Sequence, residues 1–127
     1  MKDILLVGAS VEALELAEQH NYKVKAVVDP NMKVGSWRGV VSFSNDLEAI
    51  KSVEFDTALL AIDSPLAREK AFSLYTRASI SCLSLIAGKV SSSARIGDAL
   101  FLQEGANISS NCVIGNGVRI NIGAKVM

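Results

Sequence analysis

A strict six-residue period runs through the C-terminal third of the sequence and constrains its fold more than any other feature. Every sixth position there carries a branched aliphatic residue, namely Val90, Ile96, Leu102, Ile108, Ile114, Ile120 and Val126. An amphipathic helix repeats at about 3.6 residues and a half-buried strand at two, so neither explains this register. The pattern is typical of a parallel β-helix, in which each rung is one flat face and its aliphatic side chain points to the axis.

The positions between these aliphatic residues carry the residue types that a tight coil needs. The residue four places after each aliphatic is mostly small, as at Ala94, Ala106, Cys112 and Ala124. Intervening glycine and asparagine residues tolerate the backbone dihedrals of sharp corners. Residues 90–127 would form about two coils, whereas solenoids generally need three or more repeats. We therefore expect either a truncated chain or half of an intermolecular stack.

Residues 1–87 follow a different pattern, in which short apolar segments alternate with helical periodicity. The predicted helices are residues 11–19, 46–50 and 65–77, and the predicted strands are residues 4–7, 24–28, 57–62 and 81–86, with a loop at 31–39 and a short apolar segment at 40–41. Such alternation predicts a parallel sheet with right-handed crossovers. The expected fold class is α/β: a small Rossmann-like parallel sheet with flanking helices over residues 1–87, followed by an incomplete β-helix over residues 88–127.

Residues with short polar side chains stand at the predicted helix starts. Ser10, Asp46 and Ser64 are each expected to accept a hydrogen bond from a free backbone N–H of the first helical turn. Pro65 would follow Ser64 in the first turn of the third helix, where a missing N–H has no cost. These signals fix where the predicted helices begin.

Composition gives no indication of a nucleic-acid or membrane partner. Hydrophobic residues make up 50% of the chain and the formal net charge is +0, which is ordinary for a globular cytoplasmic protein. No apolar run approaches the roughly 18 residues that a membrane helix needs. Cys82 and Cys112 lack a CxxC partner, so we expect reduced, buried thiols, with a structural disulfide as the alternative.

The domain order resembles that of the PglD/NeuD-type sugar O- or N-acyltransferases, in which a nucleotide-fold domain precedes hexapeptide repeats. The resemblance covers the whole chain and implies a left-handed β-helix. In that family the first strand-to-helix turn reads Gly-Ala-Ser-Gly-His and approaches the UDP of a UDP-sugar. Here Gly8, Ala9 and Ser10 match, while Val11 and Glu12 replace the last two residues. The resemblance therefore implies that residues 8–10 contact a UDP-sugar.

Two further positions correspond to nucleotide contacts of the family. Asp29 matches the acidic residue after the second strand, a partner for the uridine, and Arg68 matches a downstream arginine that could reach a phosphate. Asp63 replaces a glycine, and together with Glu12 it adds negative charge near the expected diphosphate, which weighs against nucleotide affinity. The residues themselves leave simpler interpretations open: Gly8 as a tight turn, Asp29 as a turn residue before proline, and Arg68 as a solvated helix residue.

Catalysis in the family depends on a histidine of the β-helix. It acts as general base when an acceptor amine or hydroxyl attacks the thioester of acetyl-CoA, since the pKa of imidazole lies near 7, and a backbone N–H stabilises the oxyanion. This histidine follows an asparagine by seven residues. Asn121 matches the asparagine, so the base would come directly after Met127. The resemblance also implies a homotrimer whose neighbouring subunits share the acetyl-CoA site, and the 127-residue chain alone is expected to be inactive.

Two functions remain open from the sequence. The first is the N-terminal part of an acetyl-CoA-dependent acetyltransferase acting on a UDP-amino sugar or a sialic-acid-type sugar. The second is a non-catalytic paralogue that serves as a binding or trimer-assembly module. His20, the single histidine, is expected to be an exposed helix-end residue, and no metal site is predicted. A γ-type carbonic anhydrase would need three histidine ligands for zinc, and a dehydrogenase would need the GxGxxG pattern that is missing after Gly8.

Overall fold

The computed structural model describes residues 1–127. Its first part is a five-stranded sheet with three helices, and its second part is a stack of two-residue strands. The first part contains, in chain order, β1 (Lys2–Val7), α1 (Val11–Gln19), β2 (Tyr22–Val28), β3 (Gly35–Trp37), β4 (Val40–Phe43), α2 (Asp46–Ser52), β5 (Thr57–Leu60) and α3 (Pro65–Arg77). The predicted α/β class with parallel strands is confirmed.

β1 is an interior strand of the sheet, and its side chains pack in both apolar layers. The strand order is β3-β4-β2-β1-β5, and every neighbouring pair is parallel except β3 and β4. Because side chains alternate between the faces of a strand, Ile4 and Leu6 pack in one cluster with α1. Leu5 and Val7 pack on the opposite face, in a cluster that includes Ala49 of α2 and residues of α3.

Two helix starts follow the sequence prediction closely. The Ser10 hydroxyl accepts a hydrogen bond from the Ala13 amide at 3.2 Å, and the Ser64 hydroxyl accepts one from the Ala67 amide at 3.3 Å. Pro65 occupies the first turn of α3. The predicted bounds of the first and third helices, residues 11–19 and 65–77, are confirmed.

Three local predictions were wrong. The cap of α2 is Asn45, whose side chain accepts from the Glu48 amide at 3.2 Å, so Asp46 is already the first helical residue. The predicted loop contains β3, which pairs with β4 as an antiparallel edge strand. The predicted strand at 81–86 makes only one isolated bridge to the sheet, between Cys82 and Ala58.

The second part of the chain is a stack of coils. Its strands are β6 (Leu85–Ile86), β7 (Lys89–Val90), β8 (Arg95–Ile96), β9 (Phe101–Leu102), β10 (Asn107–Ile108), β11 (Val113–Ile114), β12 (Arg119–Ile120) and β13 (Lys125–Val126). They pair in three parallel ladders, β13-β10-β7, β11-β8 and β12-β9-β6. From β7 onward, ladder partners such as Ile108 and Val126 are separated by three rungs of six residues, so the predicted six-residue rung is confirmed.

The aliphatic register positions line the axis of the coils, with one exception. Leu102, Ile108 and Ile120 are buried in an interior cluster, against which Val90, Ile114 and Val126 pack half-buried. Ile96 is 39% exposed and is not part of this cluster; it lies on β8, in the ladder that has only two strands. The predicted common core is therefore present, and Ile96 lies outside it.

One face of the stack is fixed to the sheet region by its outward side chains. Leu85, Phe101 and Arg119 are register partners on the ladder β12-β9-β6. Leu85 and Phe101 belong to the same buried cluster as Ile4 and Leu6 of β1. β6 is therefore a strand of the coil stack and not of the five-stranded sheet. The domain boundary expected near residue 88 stays a prediction. This packing carries Arg119 to the carboxyl edge of the sheet.

Candidate ligand-binding cleft

The largest cavity of the molecule is a cleft of about 810 Å³ at the carboxyl ends of β1, β2 and β5. β1 lies between β2 and β5. The chain passes from β1 through α1 to β2 on one side and later reaches β5 on the other side through α2, so the direction of the strand order reverses at this point. Open α/β sheets bind ligands in such crevices. Twenty residues line the cleft, and they come from the strand ends and the loops after them, from α1, α2 and α3, and from the coil stack.

Gly8 shapes the floor of the cleft by bringing two strand ends close together. Its φ angle is +108°, and a Cβ added there would lie 2.9 Å from the carbonyl oxygen of Ala61. The Gly8 amide also donates to the Val28 carbonyl at 2.8 Å. These contacts require glycine for the turn itself, which is the simpler of the two sequence interpretations.

Two helix N-termini open onto the cleft. Ser10, Val11 and Glu12 at the start of α1 line it, as do Ser64 and Ala67 at the start of α3. Helix starts carry partial positive charge and free backbone N–H groups, which favour anions. The Glu12 carboxylate lies 3.4 Å from the Ser10 hydroxyl and opposes this effect at α1.

Asp29 ties the end of β2 to the turn after β1. Its Oδ2 atom accepts from the Ala9 amide at 3.0 Å, and its Oδ1 atom accepts from the Asn31 amide at 2.9 Å. Both carboxylate oxygens therefore hold backbone N–H groups of the cleft wall. This agrees with a turn-forming role, and the residue also lines the cleft.

The charges lining the cleft are four carboxylates and two cations: Glu12, Asp29, Asp46, Asp63, Lys70 and Arg119. Asp46 accepts a 2.6 Å hydrogen bond from the hydroxyl of the fully buried Tyr75. Burial, with this hydrogen bond as a second cause, raises the pKa of Tyr75 well above its usual value. Tyr75 therefore remains a neutral donor to Asp46.

Arg119 is the cation that the coil stack contributes to the cleft. Its Nη1 atom lies 3.0 Å from the Ala61 carbonyl oxygen and 3.0 Å from Oδ1 of Asp63. The guanidinium carbon lies 5.3 Å from the centre of the Phe101 ring, a distance at which cation and ring attract each other. The Arg119 side chain is 13% exposed and that of Asp63 is 87% exposed, so only one partner of this ion pair is held in place by burial.

Arg68 lies behind the cleft rather than in it. The residue is 3% exposed; Nη1 donates to the carbonyls of Leu60 and Ile62 at 2.6 and 3.3 Å, and Nε donates to that of Gly117 at 2.8 Å. Burial, and next the charge of Arg119, lower its pKa to about 10, so it is cationic at neutral pH. Arg68 is therefore not a solvated helix residue, and this position does not favour the phosphate contact that the resemblance implied.

The structure brings together most of the residues predicted to bind a ligand. Gly8, Ala9, Ser10 and Asp29 all line the cleft. The sequence prediction missed Arg119. It occupies the same outward rung position as Phe101, one coil later, but the sequence does not show that this face packs on the sheet.

Three further observations concern His20, groups of metal-ligating residues and membrane-spanning helices. His20 is exposed and forms the C-cap of α1, at the opposite end of that helix from the cleft. No three carboxylate, histidine or cysteine side chains lie close enough together to hold a metal ion. None of the helices combines the length and the apolar character needed to cross a bilayer.

Two solved structures with a similar fold are those of acetyltransferases. A crystal structure of a variant of perosamine N-acetyltransferase from Caulobacter crescentus, in complex with CoA and GDP-perosamine, matches with a TM-score of 0.84 and 23% identity, over 99% of this chain and 63% of that chain. The acetyltransferase domain of PglB from Neisseria gonorrhoeae, in complex with acetyl coenzyme A, matches with a TM-score of 0.81 and 21% identity, over 98% and 64% of the two chains.

These similarities confirm the resemblance to sugar acetyltransferases at the level of the fold. The chain spans about 63% to 64% of the length of these solved structures. No protein-family model matches the sequence, and no curated protein does. What this chain shares with these enzymes is therefore the fold.

Proposed function

We propose that this chain is the nucleotide-sugar-binding part of an acetyl-CoA-dependent sugar acetyltransferase, together with the first coils of its β-helix. The observation that carries the proposal is the likeness over nearly the whole chain to an acetyltransferase in complex with CoA and GDP-perosamine. We place the nucleotide-sugar site of this chain in the cleft of about 810 Å³ at the carboxyl edge of the sheet.

The sheet region has the architecture that such a ligand requires. The parallel strand order β4-β2-β1-β5, with a helix after β1, supports a Rossmann-like assignment for residues 1–87. In this proposal the diphosphate lies near the starts of α1 and α3, and the nucleoside extends toward Asp29. Gly8, Ala9 and Ser10 form the wall that approaches the ligand.

The chemical step needs a group that these residues do not contain. A general base must lie within hydrogen-bond distance of the acceptor amine or hydroxyl, and His20 sits at the far end of α1. We propose that the base comes from outside the 127 residues, in a further rung of a left-handed β-helix after Asn121. Acetyl-CoA would bind to the coils of a homotrimer, where neighbouring subunits complete its site.

A non-catalytic role in binding or assembly is the second candidate. The four carboxylates of the cleft outnumber its two cations, which disfavours a phosphorylated ligand through like-charge repulsion. Exposed apolar side chains on the coils, such as Val113 and Ile122, would then serve trimer assembly. A trimer without nucleotide affinity is the expected behaviour of such a module.

Calorimetric titration of the 127-residue chain separates the two candidates. The acetyltransferase assignment predicts micromolar binding of a UDP-amino sugar or of GDP-perosamine, and no acetyl transfer from acetyl-CoA by the chain alone. Sedimentation of the same sample reports the oligomeric state. A folded trimer that binds neither nucleotide sugar would favour the assembly module, and turnover by the pure chain would contradict the assignment of the base.

A further inference from the structure

The Asp63–Arg119 ion pair lies at the junction between the coil stack and the carboxyl edge of the sheet. Arg119 is held by burial, by the Ala61 carbonyl and by the Phe101 ring. Asp63 is held by little else, because its side chain is 87% exposed and no hydrogen bond to another group fixes its carboxylate. The pair therefore combines a fixed cation with a carboxylate that is free to move.

Arg119 has unused capacity to bind an anion. A guanidinium carries five N–H donors, and both polar contacts of Arg119 are made by Nη1. Its Nε atom has no hydrogen-bond partner but is buried, so an anion in the cleft would meet the Nη atoms, where Asp63 now lies. Arginine binds phosphate and carboxylate groups in the same fork geometry, so the position of the Asp63 carboxylate is one that a phosphate oxygen could take.

We infer that Asp63 is an internal competitor for the anion site of the cleft, and that a phosphate group of the ligand displaces its carboxylate from Arg119. This inference rests on the proposed function for the identity of the ligand, a nucleoside diphosphate sugar. The Asp63 side chain turns toward solvent while Arg119 stays on Phe101. Of the two carboxylates that replace family residues near the expected diphosphate, Glu12 and Asp63, only Glu12 then still repels the ligand.

The variant Asp63→Asn tests the competition. It removes the negative charge from Arg119, and we expect it to tighten binding of inorganic pyrophosphate and of UDP or GDP by about two- to five-fold, the size that an exposed ion pair corresponds to. Uridine and guanosine, which lack phosphate, should bind equally to both proteins. Glu69→Gln is the matched control, because it makes the same charge change on α3 without lining the cleft.

The variants Arg119→Gln and Arg119→Lys test the anion site itself. Arg119→Gln should weaken pyrophosphate binding at least about tenfold, and Arg119→Lys should weaken it less, since it keeps the charge and loses the fork. Thermal unfolding of each variant shows whether the fold is retained. A tighter complex with Asp63→Asn that is lost in the Asp63→Asn/Arg119→Gln double variant would support the inference.

The outcomes distinguish this inference from the proposed function. Nucleotide-sugar binding that is the same in wild type, Asp63→Asn and Arg119→Gln would leave the proposed function standing and overturn the inference. Pyrophosphate binding that Asp63→Asn tightens, without any binding of a nucleotide sugar, would do the reverse. Weaker binding in Asp63→Asn, an equal gain in Glu69→Gln, or no anion binding in any variant would each overturn the inference.

Discussion

In the coil stack, one position in six determines which side chains are buried, whereas in the sheet region burial and function depend on individual contacts that differ from turn to turn. Ile108 has equivalent partners above and below it, Val90 and Val126. Gly8, by contrast, owes its place to a single approach to the Ala61 carbonyl. Because the same axial contact is repeated in each coil, the fold of the coils can be predicted from the sequence period. The cleft, in contrast, is built from contacts that each occur only once.

The largest expected effect concerns the interior of the coils. Ile108→Ala should lower the free energy of unfolding by about 2–5 kcal/mol, because it leaves a cavity between two neighbouring coils. The control Val113→Ala changes a side chain that is 76% exposed and should cost less than about 0.5 kcal/mol. Denaturant unfolding measures both, and similar losses would contradict the assigned interior.

The next effect concerns the arginine that links the two regions. Arg68→Met should cost about 1.5–3 kcal/mol, since it removes charged hydrogen bonds from carbonyls of β5 and from Gly117 of the coils. Arg77→Met on the exposed end of α3 is the control, with a loss below about 0.5 kcal/mol. Separate unfolding transitions of the two regions in Arg68→Met would further show that this side chain couples them. An Arg68→Met protein as stable as Arg77→Met would disprove the coupling.

A smaller effect is expected at the turn that forms the cleft floor. Gly8→Ala combines a strained φ angle of +108° with a 2.9 Å contact to the Ala61 carbonyl oxygen, and we expect a loss of about 1–3 kcal/mol. Gly39→Ala has a φ angle of +78° and open space around it, so it should cost only about 1 kcal/mol. Thermal unfolding distinguishes them; equal losses would mean that β5 yields and that the close approach is not required.

The smallest effect concerns the hydroxyl that supports Asp46. Tyr75→Phe removes one hydrogen bond, with a loss of about 0.5–1.5 kcal/mol at neutral pH. Because the pKa of Tyr75 is raised in the folded protein, the folded state holds this proton when the unfolded chain has lost it. Its contribution is complete below the unfolded pKa of about 10 and declines as the pH rises above it.

Unfolding measured between about pH 8 and 11 tests this dependence. The wild type should lose stability more steeply than Tyr75→Phe above about pH 10, and the difference between the two proteins removes the contribution of other titrating groups. Parallel curves for the two proteins would show that Tyr75 ionises normally and that burial does not protect it.

The sequence allowed prediction of the features that depend on local chemistry or on repetition. Ser10 and Ser64 were recognisable as caps because a hydroxyl before a helical period has one common role, and Ile108 followed from the six-residue register. Gly8 and Asp29 were expected at a ligand site through the family resemblance, whereas the residues themselves indicated turns, and both residues line the cleft. In each case the signal lies within a few residues of the position that it predicts.

The features that escaped prediction arise from packing between distant segments. Arg68 looked like a surface residue of α3 and is instead buried against the coils. Leu85 and Ile86 continue an apolar run that suggests a sheet strand, yet they pair with the coil strand β9, in register with Phe101 and Leu102. Arg119 reaches the cleft only because the face that carries Phe101 packs on the sheet. No local pattern encodes which face of a coil will meet another part of the chain.

The spacing of one coil between Phe101 and Arg119 places both side chains on the same outward face of the stack. A deletion of one residue between them would bring Ile120 to the outward position and turn the arginine into the apolar axis. A whole coil could be gained or lost there with far less damage to the core, yet it would move the arginine about 4.8 Å along the stack, the distance between neighbouring strands. The number of residues between Phe101 and Arg119 therefore determines whether the arginine side chain reaches the cleft. The segment between these two positions should tolerate substitution much better than insertion or deletion.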